Sequence, residues 1–341
     1  MGEMDNTVLT IGITSYNRVK ELERCLESIK AGYHAGVEVL ICEDKSPKRD
    51  EIKELVDGFC NRNPEMSVVF HPNEKNIGYD RNLKNIIDHA RGDWVMLMSD
   101  DDIFFPEAIK STLDVIKEND PAMIYSPFYQ VELSQYRRKY DNSFEIEAGS
   151  GYVSKHVYDG ILFSGLTFKK ELVKGLDAEP FLNKHYFQIY MFIYTLMNHG
   201  GYYMNVPTVE AVGDGENGYG KSESSEKNPL LADRTSIFSN LEFHKGLIWT
   251  IKRYDSDYGT NVFKDFEKEY NLRSYVGLSN ARALGKETYQ KYWDMLNSLD
   301  LNLGMLPKTY HFLLGVFGAG FMNKLMSVPR VLLLRKRHAN E

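Results

Sequence analysis

Trp94-Val95-Met96-Leu97-Met98-Ser99-Asp100-Asp101-Asp102 is the stretch whose reading decides the fold. Five apolar residues in a row predict a strand buried on both faces, and the acids begin where that strand should end. Three adjacent carboxylates repel one another and are tolerated where water or a cation sits among them. Open α/β sheets bind ligands beyond the carboxyl ends of their strands, which favours the cation. A hard divalent metal held by one or two carboxylates completes its shell with substrate phosphates. The stretch therefore points to an enzyme handling a nucleotide diphosphate.

Working outward, strand and helix signals alternate. Residues 7–13 read as a strand, then Val19, Leu22, Leu26 and Ile29 recur at helical spacing. Residues 37–42 form a second strand, 51–60 an amphipathic helix, 66–70 a short strand and 80–90 a helix. Beyond the acids, Pro106 opens another helix and 123–125 gives another strand. Alternation of this kind predicts an α/β fold with a mostly parallel, Rossmann-like sheet flanked by helices. Residues 131–147 read as a polar hairpin or flap, 161–169 as a strand and 187–197 as an apolar helix. The Gly- and Ser-rich stretch 212–228 has loop composition and the length of a lid or a surface excursion. Beyond Pro229 the pattern is mainly helical. The domain reading is 1–228 for the catalytic unit, with a donor half at 7–130, an acceptor half at 131–210 and the lid-like loop 212–228; 229–341 forms a helical C-terminal region.

The net charge of −7 gives no electrostatic case for nucleic acid. The three cysteines fit no metal spacing; Cys25 and Cys42 fall on apolar faces and read as buried thiols, which suits a reducing compartment. The polar, acidic start before the first strand shows no signal-peptide pattern, so a cytoplasmic location is expected. Residues 310–338 are apolar and basic together but interrupted by glycines and Pro329, too broken for a spanning helix. They read either as a peripheral anchor at the inner face of a membrane or as a helix capping the core with a solvated basic tail.

Polar motifs sit at successive strand ends. Thr14-Ser15-Tyr16-Asn17-Arg18 follows the first strand, where short polar groups and the Tyr16 ring suit a nucleobase; Asn17 equally suits a helix cap. Glu43-Asp44-Lys45-Ser46 follows the second, offering a carboxylate to a base imide N–H, or caps to the next helix. Asn76-Ile77-Gly78-Tyr79-Asp80-Arg81-Asn82 opens the helix before the acidic strand. A helix N-terminus with Arg81 nearby suits a diphosphate, and capping by Asn76 or Asp80 is the competing reading.

In that order and spacing the four motifs resemble family 2 glycosyltransferases of the GT-A fold, inverting enzymes that use nucleotide-diphospho-sugars. That family reads T-x-Y-N-R, V-D-D-G-S, N-x-G-x-x-x-A-R-N and L-D-x-D-D at these places. Thr14, Tyr16, Asn17 and Arg18 match the first, and Glu43, Asp44 and Ser46 the second, with Lys45 replacing the glycine. Asn76, Gly78, Arg81 and Asn82 match the third at shortened spacing. Asp100 and Asp101 match the fourth, Met98 standing where the first acid often is. The resemblance covers residues 7–130 and thins over 131–210.

It implies a donor site of Thr14, Tyr16, Asn17, Arg18, Glu43, Asp44, Asn76, Gly78, Arg81 and Asp100. It also implies Mn2+ or Mg2+ held by Asp100, Asp101 and Asp102, the DXD motif of the family. UDP is the default nucleotide by frequency. The implied acceptor is a saccharide or polyprenyl-linked saccharide, in surface polysaccharide (capsule or O-antigen) biosynthesis. The family often carries Glu-Asp as its base pair; by position relative to Gly200-Gly201-Tyr202 that pair falls at Gln188-Ile189, which accept no proton. The substitutes are Glu179 and His185, the histidine ranked first, with Asp214 and Glu216 in the loop. A nucleotidyltransferase would carry a Gly-rich loop after the first strand, which Thr14–Arg18 lacks. A non-catalytic nucleotide-sugar-binding or membrane scaffold descended from such enzymes is the reading the missing acid pair keeps open.

Overall fold

The computed structural model describes residues 7–138, 140–149, 151–182, 184–215 and 236–338. The chain begins with β1 (Leu9–Ser15), α1 (Val19–Ala31), β2 (Val37–Glu43), α2 (Arg49–Arg62), β3 (Ser67–Pro72), α3 (Tyr79–His89) and β4 (Trp94–Ser99). β3, β2, β1 and β4 lie side by side in that order, all parallel. β4 confirms the two-sided burial. Val95 and Leu97 enter the cluster built on α3, while Trp94, Met96 and Met98 enter the cluster built on α1, as a period of two requires.

The chain continues through β5 (Ile103–Phe104), α4 (Ala108–Asn119), β6 (Met123–Tyr125), β7 (Phe128–Gln130), β8 (Gln135–Arg137), β9 (Phe144–Ile146), α5 (Tyr152–His156), β10 (Thr167–Lys169) and α6 (Lys170–Val173). Here antiparallel strands join the mostly parallel sheet. β10 inserts antiparallel between β4 and β6, β11 (Gly201–Tyr203) runs parallel to β6, and β9 closes the edge antiparallel. The strand expected over 161–169 is confined to β10. Residues 157–160 form a 3-10 turn, and Gly165 at φ +85°, with Thr208 Oγ1 occupying the space a Cβ would need, bends the chain before the strand begins. A second sheet, ordered β5-β12-β7-β8 with β12 at Val209–Ala211, holds a hairpin of β7 and β8 over 128–137, so the hairpin expected over 131–147 is shifted toward the N-terminus, and β9 at its far end pairs with β11 in the main sheet.

α7 (Phe187–Asn198) is buried almost all round, which explains its uninterrupted apolar sequence. Four further helices follow: α8 (Ile237–Tyr258), α9 (Val262–Ala283), α10 (Lys286–Asn297) and α11 (Met305–His338), the last kinked at Gly318 with φ 76°. They do not form a separate core. Leu247, Ile251, Phe266 and Leu278 share one apolar cluster with α7 and with Leu97 of β4. No helix among the described residues is long and apolar enough to cross a membrane.

Candidate active site

β1, β2 and β4 are in parallel register and end together at Ser15, Glu43 and Ser99. The residues that follow them wall a cleft of about 1190 Å³. Thr14, Tyr16, Arg18, Asp44, Asn76, Gly78 and Asp100 to Asp102 line it, so residues up to 88 positions apart converge as the sequence predicts.

The acidic turn is buried and bound from three sides. Asp100 accepts the Tyr16 backbone N–H at 3.2 Å and Arg18 Nη1 at 2.8 Å, and Arg18 also lies 3.1 Å from Asp101 Oδ2. Ser99 Oγ donates to Asp101 at 2.5 Å. Asp102 turns elsewhere, accepting from Ser164 Oγ at 2.5 Å and from the Val212 N–H at 3.1 Å. Burial pushes Asp100 up to about 7 against the pull of Arg18, and burial followed by the Asp101 charge does the same to Asp102. Among the described residues no group of three His, Cys, Asp or Glu is arranged to hold a metal. The donor set fits a divalent ion held by Asp100 and Asp101 with phosphate oxygens completing the shell. Asp102, expected as a third ligand, is tied to Ser164 and Val212 and ties residue 212 to the turn. The described start of the expected lid, residues 212–215, lies over this turn: a Cβ on Gly215 would come within 2.5 Å of Arg18 Nε.

Asp44 enters the cleft wall by way of the third motif. Its carboxylate accepts from Asn73 Nδ2 at 2.9 Å and from the N–H groups of Ile77 at 2.8 Å and Gly78 at 2.9 Å. Gly78 takes φ +83°, a conformation a β-carbon disfavours, and thereby aims its N–H at Asp44 before α3 starts. Burial raises the Asp44 carboxyl and these three donors oppose it.

Several expected donor residues are placed elsewhere. Glu43 is wholly buried and accepts from the Lys45 and Ser46 N–H groups and from Arg49, holding the turn after β2 and not a ligand. Arg81 points into a separate surface groove, where it pairs with Glu179 at 2.5 Å. Its shortened spacing from Gly78 puts it on the outward side of α3. Asn17 sits at φ 64° in the turn after β1 and is not part of the cleft lining.

His185 lines the cleft. Its backbone is left-handed at φ 66°, and its N–H donates to Asp80 Oδ2 at 3.0 Å. Burial and the neighbouring Lys184 charge lower its imidazole to about 4, so the ring is neutral at pH 7. Asp80 also accepts the Phe187 N–H at 3.0 Å, which caps α7 with a carboxylate; burial pushes it up to about 7. In the sequence, Asp80 read as one of two alternative caps for its own helix, with Asn76 the other. Its partner lies 105 positions away, beyond any local signal. Gln188 stands in the cleft wall where the acid pair was expected, with Nε2 donating to Ile161 O at 3.2 Å. Asp214 is outside the lining, where Arg24 pairs with it at 2.7 and 2.8 Å and lowers its pKa. Glu216 lies outside the described residues.

The sequence did not point to the C-terminal helices as cleft walls, yet Asn240, Phe243 and His244 of α8 and Arg273 of α9 line it, with Arg137, Arg138 and Asp159. Their amphipathic pattern registers only that one face is buried, not that part of another face borders a ligand.

Residues 10–174 match the sequence pattern of the family described as Glycosyl transferase family 2. An uncharacterized glycosyltransferase of Haemophilus influenzae is 31% identical over 121 residues, 35% of this chain and 38% of that protein. Abequosyltransferase RfbV of Salmonella typhimurium is 26% identical over 102 residues, 30% of each chain. The chain thus spans less than half the length of these curated relatives. Among solved structures, S. aureus TarS 1–349 in complex with UDP-GlcNAc superposes with a TM-score of 0.55 at 14% identity, covering 89% of this chain and 91% of that one. The mannosyltransferase PcManGT from Pyrobaculum calidifontis, in complex with GDP-Man and Mn2+, gives 0.52 at 14% identity, covering 91% and 86%. At such identity the likeness is one of fold, and the fold is of the GT-A type.

Proposed function

Because residues 10–174 belong to glycosyl transferase family 2, we propose that this chain is an inverting, metal-dependent glycosyltransferase. It moves a sugar from a nucleotide-diphosphate donor to a saccharide or lipid-linked saccharide in surface polysaccharide synthesis. One observation carries the reading: four motifs, dispersed over the chain from Thr14 to Asp102, meet in one cleft at the ends of parallel strands. The nucleotide-sugars named for TarS and PcManGT support the donor class.

Tyr16 and Asp44 face the base, and the Asp44 hydrogen bonds to Ile77 and Gly78 hold the second and third motifs at a fixed separation. Arg18 carries positive charge to the acidic turn and to the phosphates. Mn2+ or Mg2+ on Asp100 and Asp101 would neutralise charge on the departing nucleoside diphosphate. Single displacement inverts the anomeric centre and needs the acceptor hydroxyl to lose its proton. His185, neutral and in the cleft wall, is the base of this reading, positioned by the Asp80 carboxylate.

The C-terminal region gives the protein a membrane-facing surface. Phe312, Val316, Phe317, Phe321 and Leu325 of α11 are all more than half exposed, and the sequence continues into Arg335-Lys336-Arg337. An apolar stripe beside a basic segment suits peripheral binding to an anionic bilayer, where a lipid-linked acceptor resides.

Thermal melting with UDP, GDP, CDP and dTDP, each with Mn2+ and with EDTA, tests the donor assignment. Stabilisation by one nucleotide, dependent on metal and lost in Asp101→Asn, is the expected result. Indifference to all four would return the protein to the scaffold reading.

A further inference from the structure

Arg138 is a buried guanidinium on the cleft wall formed by residues 128–163 and the C-terminal helices, 9% exposed. Its Nη1 donates to Ser126 O at 3.3 Å, its Nη2 to Leu162 O at 2.5 Å, and its Cζ lies 4.7 Å from the Phe128 ring centre. Its Nε has no hydrogen-bond partner, and no carboxylate among the described residues comes within 4 Å. Carbonyl dipoles and a ring face offset a full positive charge only in part. The backbone adds a cost, since Arg138 sits at φ 56°, a left-handed conformation that bulky side chains avoid. Burial lowers the guanidinium to about 10. Unpaired buried charge and backbone strain at one cleft residue are both tolerated where a ligand uses them.

The neighbourhood points to the sign and class of that ligand. Arg137 and Arg273 line the same cleft, Arg273 lying over the Tyr158 ring at 4.6 Å and pairing with Glu269 at 2.8 Å. Two acids share the wall. Asp159, whose charge favours the charged form of Arg138, is held by His156 Nδ1 at 2.8 Å, and Glu132 is exposed. With Glu269 counted, three acids balance the three guanidiniums, but Glu269 is taken by Arg273 and Asp159 by His156, so Arg138 keeps its charge without a carboxylate partner, and its forked N–H donors match phosphate oxygens.

We propose that Arg138, in the cleft that Arg137 and Arg273 also line, forms a phosphate-binding subsite that takes a phosphate ester carried by the acceptor. This rests on the donor reading only in assigning the phosphate to the acceptor and not to the nucleotide. The donor half has its own cation in Arg18, which pairs with Asp100 and Asp101, whereas Arg138 has no such acid partner among the described residues.

Calorimetric titration of the full chain with inorganic phosphate and with glycerol phosphate, each with and without saturating nucleoside diphosphate, tests it. We expect glycerol phosphate to bind at least as tightly as phosphate and to persist with nucleotide present. Affinity should fall at least about tenfold in Arg138→Gln and less in Arg138→Lys and Arg273→Gln. Equal affinity in wild type and Arg138→Gln, displacement by nucleotide, or binding of inorganic phosphate with the ester excluded would each overturn the proposal. Should Arg138→Gln fail to fold, the other two variants decide, and wild-type affinity in both would overturn it. Nucleotide binding read in the same samples separates the readings. Arg138-dependent ester binding without nucleotide binding supports the subsite and removes the donor assignment.

Discussion

Asp80 Oδ2 accepts the backbone N–H of His185 at 3.0 Å. This bond joins the third donor motif to the N-terminus of α7, so the donor wall and the candidate base share one buried carboxylate. Asp80 is raised to about 7 by burial, and the sign of its linkage follows. Near pH 4 and below, folded and unfolded chains both keep the proton. Between about 4 and 7 the unfolded chain loses it while the folded chain retains it, so stability falls as pH rises; above 7 the two states again match. Asp80→Asn removes that contribution. Urea unfolding at pH 4.5 and 7.5 should show a larger loss of stability in wild type than in the variant, since a tenfold difference in proton affinity between the two states corresponds to about 1.4 kcal/mol. Equal losses would mean that Asp80 does not titrate in this way.

His185 is held near a pKa of about 4, so it is free of its proton throughout neutral pH. As the base it gives kcat an acid limb near pH 4 and no inflection near the ordinary histidine value. His185→Gln should lower kcat by about 10² to 10⁴ while leaving nucleotide-induced stabilisation intact. A variant with wild-type kcat would move the proton transfer to another group.

The donor wall was legible because its signals are local. A polar run directly after an apolar strand, repeated at Thr14, Asp44 and Asp100, needs only the pattern of a parallel sheet to bring the three together. Asp44 and Asp100 do reach the cleft, and their oxygens also hold backbone groups that no sequence window reveals. The acceptor wall was not legible. Asn240, Phe243 and Arg273 reach the cleft only because α8 and α9 pack on α7, a long-range choice that helical periodicity leaves open. Within the polar stretch 131–147 nothing local marks Arg138, because its burial depends on Ser126 and Leu162 from separate segments.

Arg18 and Arg81 looked equivalent as phosphate ligands, and the structure separates them. Arg18 bridges Asp100 and Asp101, while Arg81 is engaged by Glu179 in another groove. Arg81→Gln should leave nucleotide-induced stabilisation within error of wild type. Arg18→Gln should lower the ligand-free stability by about 3 kcal/mol, since it leaves two buried carboxylates without their cation. Loss of nucleotide binding in Arg81→Gln would restore the sequence-based placement.

The Asp100–Asp101 pair should answer to divalent metal. Both carboxylates are buried against one guanidinium, so a second cation relieves their repulsion. Mn2+ alone should raise the melting temperature of wild type, and Asp100→Asn and Asp101→Asn should each diminish the rise. Asp102→Asn should instead melt lower with or without Mn2+, because its oxygens hold Ser164 and Val212. A metal response equal in all four proteins would place the ion elsewhere.

The exposed stripe of α11 makes the last prediction. Phe317 and Phe321 flank the kink at Gly318 with ring centroids 5.4 Å from each other, both more than half exposed. Burying such a side chain fully is worth about 1.5 to 3 kcal/mol, and each basic residue near an anionic surface adds about 1 kcal/mol. The full chain should therefore sediment with phosphatidylglycerol vesicles, more weakly with phosphatidylcholine, and less as salt rises. Phe317→Asp combined with Phe321→Asp should weaken vesicle binding at least about tenfold. Because both rings point away from the core, melting temperature should change little. Equal sedimentation of the double variant and wild type would assign the stripe to another role and leave the lipid-linked acceptor without this support.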